Sequence, residues 1–266
     1  MEWILFLLIG AFAGFSAGLL GIGGGLIMVP ALSMLLPALG FADDKIMHMA
    51  IANSLAAIVP TAMSSAYRHH KHHSIDWFYV RKMVPGLVFG SVLGVGIAIY
   101  IARIPLQIIF SLFLLVVSVY LLIGQPLLTP RARISIRMSR VVSVAIGSIS
   151  ALLGVGGGTM TVPFLISQGV VAQVAVGTSA FCGIPIAVTA VMIFAFSSGT
   201  EIGSQLGSLI YWPGLMLMIL ASVVSTPFGA NLAHQLSTVK LKRIFAALLV
   251  FVAIGLFYDA ILHLIR

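Results

Sequence analysis

Long apolar runs separated by short polar loops make up almost the whole of this 266-residue chain. The runs are continuously apolar, whereas the strands of a membrane barrel would alternate apolar and polar residues, so the pattern predicts helices. Most runs approach the roughly 20 residues that cross the hydrocarbon core of a bilayer. We therefore predict an all-α polytopic membrane protein, with apolar segments at about 3–20, 25–38, 46–66, 77–102, 105–124, 139–153, 158–171, 174–197, 207–234 and 240–264.

Two of these segments, 25–38 and 158–171, are shorter than a full span and contain a proline, Pro30 or Pro163. In a helix, about 14 residues rise only about 21 Å. Each follows three consecutive glycines, in GLLGIGGGLIMVP (18–30) and LLGVGGGTMTVP (152–163). Because each glycine costs about 1 kcal/mol relative to alanine inside a helix, we predict an unwound turn here. The flanking segments then form broken helices or a re-entrant hairpin.

The two glycine-rich stretches belong to an internal duplication. Gly18–Leu32 and Ala151–Leu165 are identical at nine of fifteen positions, and weaker matches follow, such as VPGL (84–87) with WPGL (212–215). Each half contains about five apolar segments. The sequence therefore predicts one membrane repeat over 1–128, a basic linker over 129–138 and a second repeat over 139–266.

Basic residues predict how the repeats are oriented. Lys and Arg concentrate in 67–82, 129–140 and 238–243, and the positive-inside rule puts such loops in the cytoplasm. The base-poor turns at 41–45 and 197–205 are then outside. Since five segments is an odd number, the second repeat must enter the membrane inverted relative to the first. We expect both termini on the periplasmic side of a bacterial inner membrane.

Composition narrows the function. Hydrophobic residues make up 61% of the chain and charged residues 8%, with a mean hydropathy of +1.18, whereas soluble domains carry about 25% charge. The net charge of +8 comes from the loops, so we expect a lipid bilayer and no nucleic acid as partner. Cys182 is the single cysteine and cannot form an internal disulfide. We also see no nucleophile–base set or HExxH pattern, which argues against an enzyme.

Histidines at 69, 70, 72 and 73 could bind a transition metal weakly, although no cysteine or acidic ligand set accompanies them. A solvated cytoplasmic loop is the simpler interpretation. We therefore expect neither a metal site nor a cofactor.

The duplicated pattern G-x-G-G-G-x-x-x-x-P, the two-half organisation and the chain length resemble the TauE/SafE, or sulfite exporter, family of membrane transporters. The resemblance extends over nearly the whole chain. It implies a secondary transporter of small sulfur-containing anions, such as sulfite or organosulfonates, across the bacterial inner membrane.

Inverted repeats with broken helices are typical of transporters, and paired interruptions point to the binding site. Unwound backbone leaves N–H groups free, and helix N-termini carry partial positive charge, so an anion can bind without a buried Lys or Arg. Polar residues at matching positions of the third segment of each half add possible hydrogen bonds. The candidate substrate-binding residues are Gly21, Gly23, Gly24, Gly25, Asn53, Ser54, Gly154, Gly156, Gly157, Gly158, Thr159, Thr178 and Ser179.

Packing alone could also explain these residues. Small residues allow close helix contacts, and the polar side chains could hydrogen-bond between helices instead of binding a ligand. Thr159 and Thr161 replace Leu26 and Met28 of the first copy. This difference breaks the symmetry, and if the hydroxyls face the site, the second half contributes more polar contact.

All six carboxylates, at residues 2, 43, 44, 76, 201 and 259, lie in predicted loops or near segment ends. No mid-membrane carboxylate is therefore expected to couple proton movement. This leaves a protonated substrate, a peripheral group, or facilitated movement down the electrical gradient. An inside-negative potential drives a monoanion outward by about 2.3 kcal/mol per 100 mV, so export is physically easy, and our hypothesis is an exporter that works by alternating access. A channel-like passive conduit for small anions or neutral solutes is the alternative.

Overall fold

The computed structural model describes residues 2–20, 24–123, 136–196, 209–233 and 238–265. These ranges contain ten α-helices, one short 3₁₀ helix and no strand. The 3₁₀ helix is Asp43–Lys45. The α-helices are α1 (Glu2–Leu20), α2 (Gly25–Ala38), α3 (Ile46–Lys71), α4 (Trp77–Tyr100), α5 (Arg103–Ile123), α6 (Ile136–Leu152), α7 (Gly158–Ser167), α8 (Ala172–Phe196), α9 (Trp212–Ala233) and α10 (Thr238–Ile265).

Within the described ranges, six helices are long and apolar enough to cross a membrane. They are α3, α4, α5, α8, α9 and α10. The predicted all-α, multi-pass membrane fold is confirmed. The two predicted short segments also form short helices. Helix α2 has 14 residues and α7 has 10, and they begin at residues 25 and 158 as predicted.

The first and fourth helices of opposite halves pack together, α1 against α9 and α4 against α6. Glycine permits the close approach. Gly86, Gly90 and Gly94 recur at four-residue intervals along α4, and a Cβ on any of them would collide with the backbone or Cβ of α6. Gly10 and Gly14 of α1 face the α9 backbone in the same way. This small-residue packing is a common means of association between membrane helices.

Equivalent helices of the two halves run antiparallel. In the α5–α10 pair, Gln107 near the start of α5 donates to the carbonyl of Leu256 (2.9 Å). Ser118, about three turns further along α5, donates to the carbonyl of Ala246 (2.8 Å), which lies earlier in α10. In the α3–α8 pair, the Cα of Gly183 faces Ala62 while that of Gly177 faces His69. In each pair, the helix of the first half therefore runs in the opposite direction to its equivalent in the second half.

An ion-pair cluster joins three elements at one end of the molecule. The Arg103 guanidinium at the start of α5 lies 3.0 Å from Asp43 and 3.7 Å from Asp259 of α10. Gln107 also donates to Asp259 (3.0 Å). The Arg103 side chain is only 10% exposed, whereas Asp43 and Asp259 are 65% and 48% exposed.

The boundaries of the two predicted repeats remain predictions. Most of the linker (129–135), the turn at 197–205, and Gly21 and Gly23 of the first glycine run lie outside the described residues.

Candidate functional site

The glycine run of the second half interrupts the helical path between α6 and α7. After α6 ends at Leu152, the N–H of Val155 donates to the carbonyl of Ser150 (2.8 Å), and the N–H of Gly157 donates to that of Val155 (2.8 Å). Gly154 and Gly157 have φ values of +70° and +74°, in the left-handed region that other residues enter only with strain. The break expected from the sequence is therefore present, and two of its glycines are required by the backbone.

The glycine runs of the two halves touch each other. Helix α2 begins at Gly25, and a Cβ on Gly25 would collide with the carbonyl oxygen of Gly154 and lie 2.9 Å from the Cα of Val155. Ser54 of α3 donates to the same Gly154 carbonyl (2.8 Å). The start of α2 and the loop before α7 therefore meet, with Ser54 holding the contact from the side.

A cavity of about 30 Å³ lies beside this contact. That is room for about one or two water molecules. Its lining consists of Ala17, Gly24, Ile58, Thr61, Ala62, Ser65, Gly156, Gly158, Ser179 and Ala180. None of these lining residues carries an ionisable side chain. Both glycine runs contribute to the wall, together with α1, α3 and α8.

Some backbone donors around the cavity have no acceptor among the described residues. They are the N–H groups of Gly156, Gly158 and Thr159. The first N–H groups of any helix lack intrahelical partners. Here, however, they are buried, where an unsatisfied donor costs about 1–3 kcal/mol.

Free hydroxyl groups cluster in the same region. Ser150, Thr159, Thr161 and Ser179 each have a buried hydroxyl oxygen without a hydrogen-bond partner in the described part of the chain. Ser179 is 1% exposed and lines the cavity. A Cβ on Gly157 would lie 3.7 Å from both the Ser150 Oγ and the Thr161 Oγ1. The hydroxyls therefore surround the second glycine run.

The hydroxyls are distributed asymmetrically between the halves. In the duplication, Ala17, Leu26 and Met28 occupy the positions of Ser150, Thr159 and Thr161. Thr61 also lines the cavity from the first half, but its hydroxyl donates to the carbonyl of Ala57 (2.8 Å). Ser150 was not among the residues selected from the sequence, although its replacement of Ala17 was a visible signal.

Asn53 and Thr178 hold chain connections. The Asn53 amide donates to the carbonyls of Met49 (2.8 Å) and Leu209 (2.7 Å) and accepts from the N–H of Tyr211 (3.0 Å). Thr178 accepts from the N–H of Asp76 (2.9 Å). Each side chain thus fixes the segment that leads into the fourth helix of the opposite half, α9 or α4. Asn53 has no amide hydrogen left for a ligand.

The histidine-rich segment lies elsewhere, at the end of α3. The described residues contain no group of three or more His, Cys, Asp or Glu side chains that could hold a metal ion. The His70 ring instead packs edge-on against Trp77, with ring centres 5.8 Å apart.

Comparison with known proteins gives a consistent picture. Residues 6–256 match the family model described as sulfite exporter TauE/SafE. A probable membrane transporter protein of Haemophilus influenzae is 36% identical over 261 residues, covering 96% of this chain and 97% of its own length. The probable membrane transporter protein YunE of Bacillus subtilis is 24% identical, with 98% and 99% covered. A further probable membrane transporter protein, from Xylella fastidiosa, is 28% identical, with 92% and 91% covered. The chain therefore belongs to the TauE/SafE family of integral, multi-pass membrane transporters.

Proposed function

We propose that this protein is a secondary transporter that exports a small sulfur-containing anion, sulfite or an organosulfonate, across the bacterial inner membrane by alternating access. The anion binds in the cavity between the two glycine runs. The observation that carries the proposal is the set of buried, unpaired N–H and O–H donors around that cavity. Donors without acceptors are what an oxyanion requires, since its oxygens only accept hydrogen bonds.

The proposed roles differ among the candidate residues. Ser179 and the backbone of Gly24, Gly156 and Gly158 line the cavity, and we assign them to direct contact with the anion. Thr159, with a free N–H and a free hydroxyl, is a further donor from the first turn of α7.

The remaining described candidates shape the site. Gly25, Gly154 and Gly157 permit the contact and the turns, while Asn53, Ser54 and Thr178 position the surrounding segments. For Gly21 and Gly23, which lie outside the described residues, we propose the role of ligands from the first run.

Alternating access follows from the inverted repeats that we propose. The antiparallel α3–α8 and α5–α10 pairs support that arrangement, as does the matching exchange of partners between α1–α9 and α4–α6. A sulfur oxyanion is larger than one water molecule, so it enters the 30 Å³ cavity only if the surrounding helices separate. Such a constriction favours a carrier over a continuously open conduit.

Anion-dependent thermal stabilisation of the purified protein tests the site. Sulfite and methanesulfonate should raise the melting temperature of the wild type. Ser179→Ala should weaken the binding of both anions by about 10- to 100-fold, because a hydrogen bond to a charged group contributes about 1.5–3 kcal/mol. Ser139→Ala is a matched control, because Ser139 is also buried and unpaired but does not line the cavity. If neither anion stabilises the wild type, or both variants respond alike, the anion site is wrong.

Counterflow in proteoliposomes tests the transport mechanism. We expect saturable exchange of labelled sulfite that Ser179→Ala slows and Ser139→Ala leaves intact. A conductance far above the turnover of a carrier would instead indicate the channel-like conduit.

A further inference from the structure

None of the described residues that line the cavity carries a charged side chain, yet the cavity is bordered by two helix N-termini. Gly24 immediately precedes α2, and Gly158 is the first residue of α7. Both residues line the cavity. A helix N-terminus carries the equivalent of about half a positive charge. Two of them therefore provide about one positive charge in total.

A second observation indicates that this end of the fold faces a ligand. Ser179 is only 1% exposed and lines the same cavity. Its hydroxyl has no hydrogen-bond partner among the described residues. A hydroxyl is a neutral donor, so it adds a hydrogen bond without adding charge. The N–H groups of Gly156 and Gly158 are neutral donors as well.

We infer that the cavity is matched to a single negative charge and selects monovalent oxyanions over divalent ones. This inference rests on the proposed function and adds a charge rule to it. Organosulfonates and hydrogen sulfite are substrates of the right valence, whereas sulfate and fully deprotonated sulfite are rejected despite similar oxygen geometry.

The physical reason is the uncompensated charge of a dianion. Two helix N-termini balance about one negative charge, so a dianion leaves about one more in a buried site without a cationic partner. Desolvating an unpaired charge is strongly unfavourable. Thr61 cannot relieve this penalty, because its hydroxyl hydrogen is already donated to the α3 backbone.

The test compares methanesulfonate with sulfate by calorimetric titration of the full chain in lipid nanodiscs, at matched ionic strength. We expect methanesulfonate to bind at least about tenfold more tightly. Sulfite provides the same comparison within one compound, because it loses its second proton near neutral pH. Its affinity should fall about tenfold from mildly acidic to mildly alkaline pH, while that of methanesulfonate, a monoanion throughout, should not change.

A variant at the cavity wall makes the test sharper. Ser65 lines the cavity and is partly exposed, so a longer side chain can be accommodated there. Ser65→Lys should raise the affinity for sulfate relative to methanesulfonate, and Ser65→Gln, of similar length but neutral, should not. Ser179→Ala should lower both affinities by a similar factor, since it removes a donor and no charge.

The outcomes separate the two proposals. If wild-type protein binds sulfate as tightly as methanesulfonate, or if sulfite binds better after deprotonation, the charge rule is overturned and the anion site stands. If no anion binds under any condition, the proposed function fails and the charge rule fails with it.

Discussion

The contact between the two glycine runs can be tested with one methyl group. In Gly25→Ala, the new Cβ would collide with the Gly154 carbonyl oxygen and lie 2.9 Å from the Val155 Cα and 3.2 Å from the Ile58 Cδ1. The first two obstacles are backbone atoms, which cannot rotate away. Gly154 also cannot retreat easily, because its carbonyl accepts from Ser54 and its Cα faces Ile51.

The expected size of the effect follows from overpacking. Extra methyl groups in a well-packed interior cost about 1–3 kcal/mol, and fixed backbone atoms put this site in the upper part of that range. Alanine recovers part of the loss through its higher helix propensity, at most about 1 kcal/mol. We therefore expect the free energy of unfolding to fall by about 2 kcal/mol. For a chain of this size, that corresponds to a melting temperature lower by about 4–8 °C.

Two measurements complete the experiment: thermal unfolding of the purified protein and sulfite counterflow in proteoliposomes. Gly96→Ala is the matched control, because Gly96 is a helical glycine with nothing within 4 Å of a built Cβ. The control should be neutral or slightly stabilising, since alanine reduces the entropy of the unfolded chain. If Gly25→Ala melts and transports like Gly96→Ala, the two runs do not meet as described and the proposed site loses its basis.

Four further predictions follow from other parts of the fold. Gly94→Ala should lower the melting temperature by several degrees, whereas Gly96→Ala should not, because of these two glycines only Gly94 contacts the backbone of α6. Asn53→Ala should destabilise by about 1–3 kcal/mol for each buried partner left unsatisfied, even without anions, as thermal unfolding would report. Arg103→Gln should cost less than about 1 kcal/mol, and the loss should shrink in high salt, because its acidic partners are about half exposed or more. A single cysteine at Asp44 should be labelled by impermeant maleimide in intact cells, whereas a single cysteine at His72 should be labelled only after the cells are opened. The native Cys182 is buried and should stay unlabelled.

Local chemistry in the sequence was sufficient to predict the helices and their interruptions. Adjacent glycines add up the cost that each imposes on a helix, so the break around residues 154–158 could be predicted from the glycine run, whereas the spaced glycines of α4 remain helical. The end of α3 was less predictable. The apolar pattern ends near residue 66, but the helix continues to Lys71. Basic and histidine side chains in its last turn stabilise the C-terminus through the helix dipole, an effect that hydrophobicity does not reveal.

Long-range partners could not be predicted from the sequence. Asn53 and Thr178 look like ligands because a polar side chain inside a membrane needs a partner. Their partners are backbone groups of connections 156 and 102 residues away in the chain, at Leu209 and Asp76. Ser179 follows Thr178 directly and is unpaired. Only the packing of the helices separates these two roles.

Residues that match between the two halves and residues that differ between them have different roles in the proposed mechanism. Residues that hold the fold together recur in both halves: Asn53 and Thr178 occupy matching positions, and each fixes the entry to a fourth helix. Three of the four free hydroxyls do not recur, because Ser150, Thr159 and Thr161 are matched by apolar residues. The fourth, Ser179, is matched by Ser54, whose hydroxyl is already donated to the Gly154 carbonyl. Matching elements suit the two states of a carrier whose repeats are related by a pseudo-two-fold axis, since both states must have similar energy. In the proposed site, asymmetric donors would bind the anion in one orientation, with its oxygens toward the second half. The double variant Met28→Thr with Thr161→Val transfers one hydroxyl to the first half. It should preserve folding but change the relative affinity for sulfite and methanesulfonate, because only sulfite lacks an organic substituent to orient. Equal changes for both anions would contradict a fixed orientation.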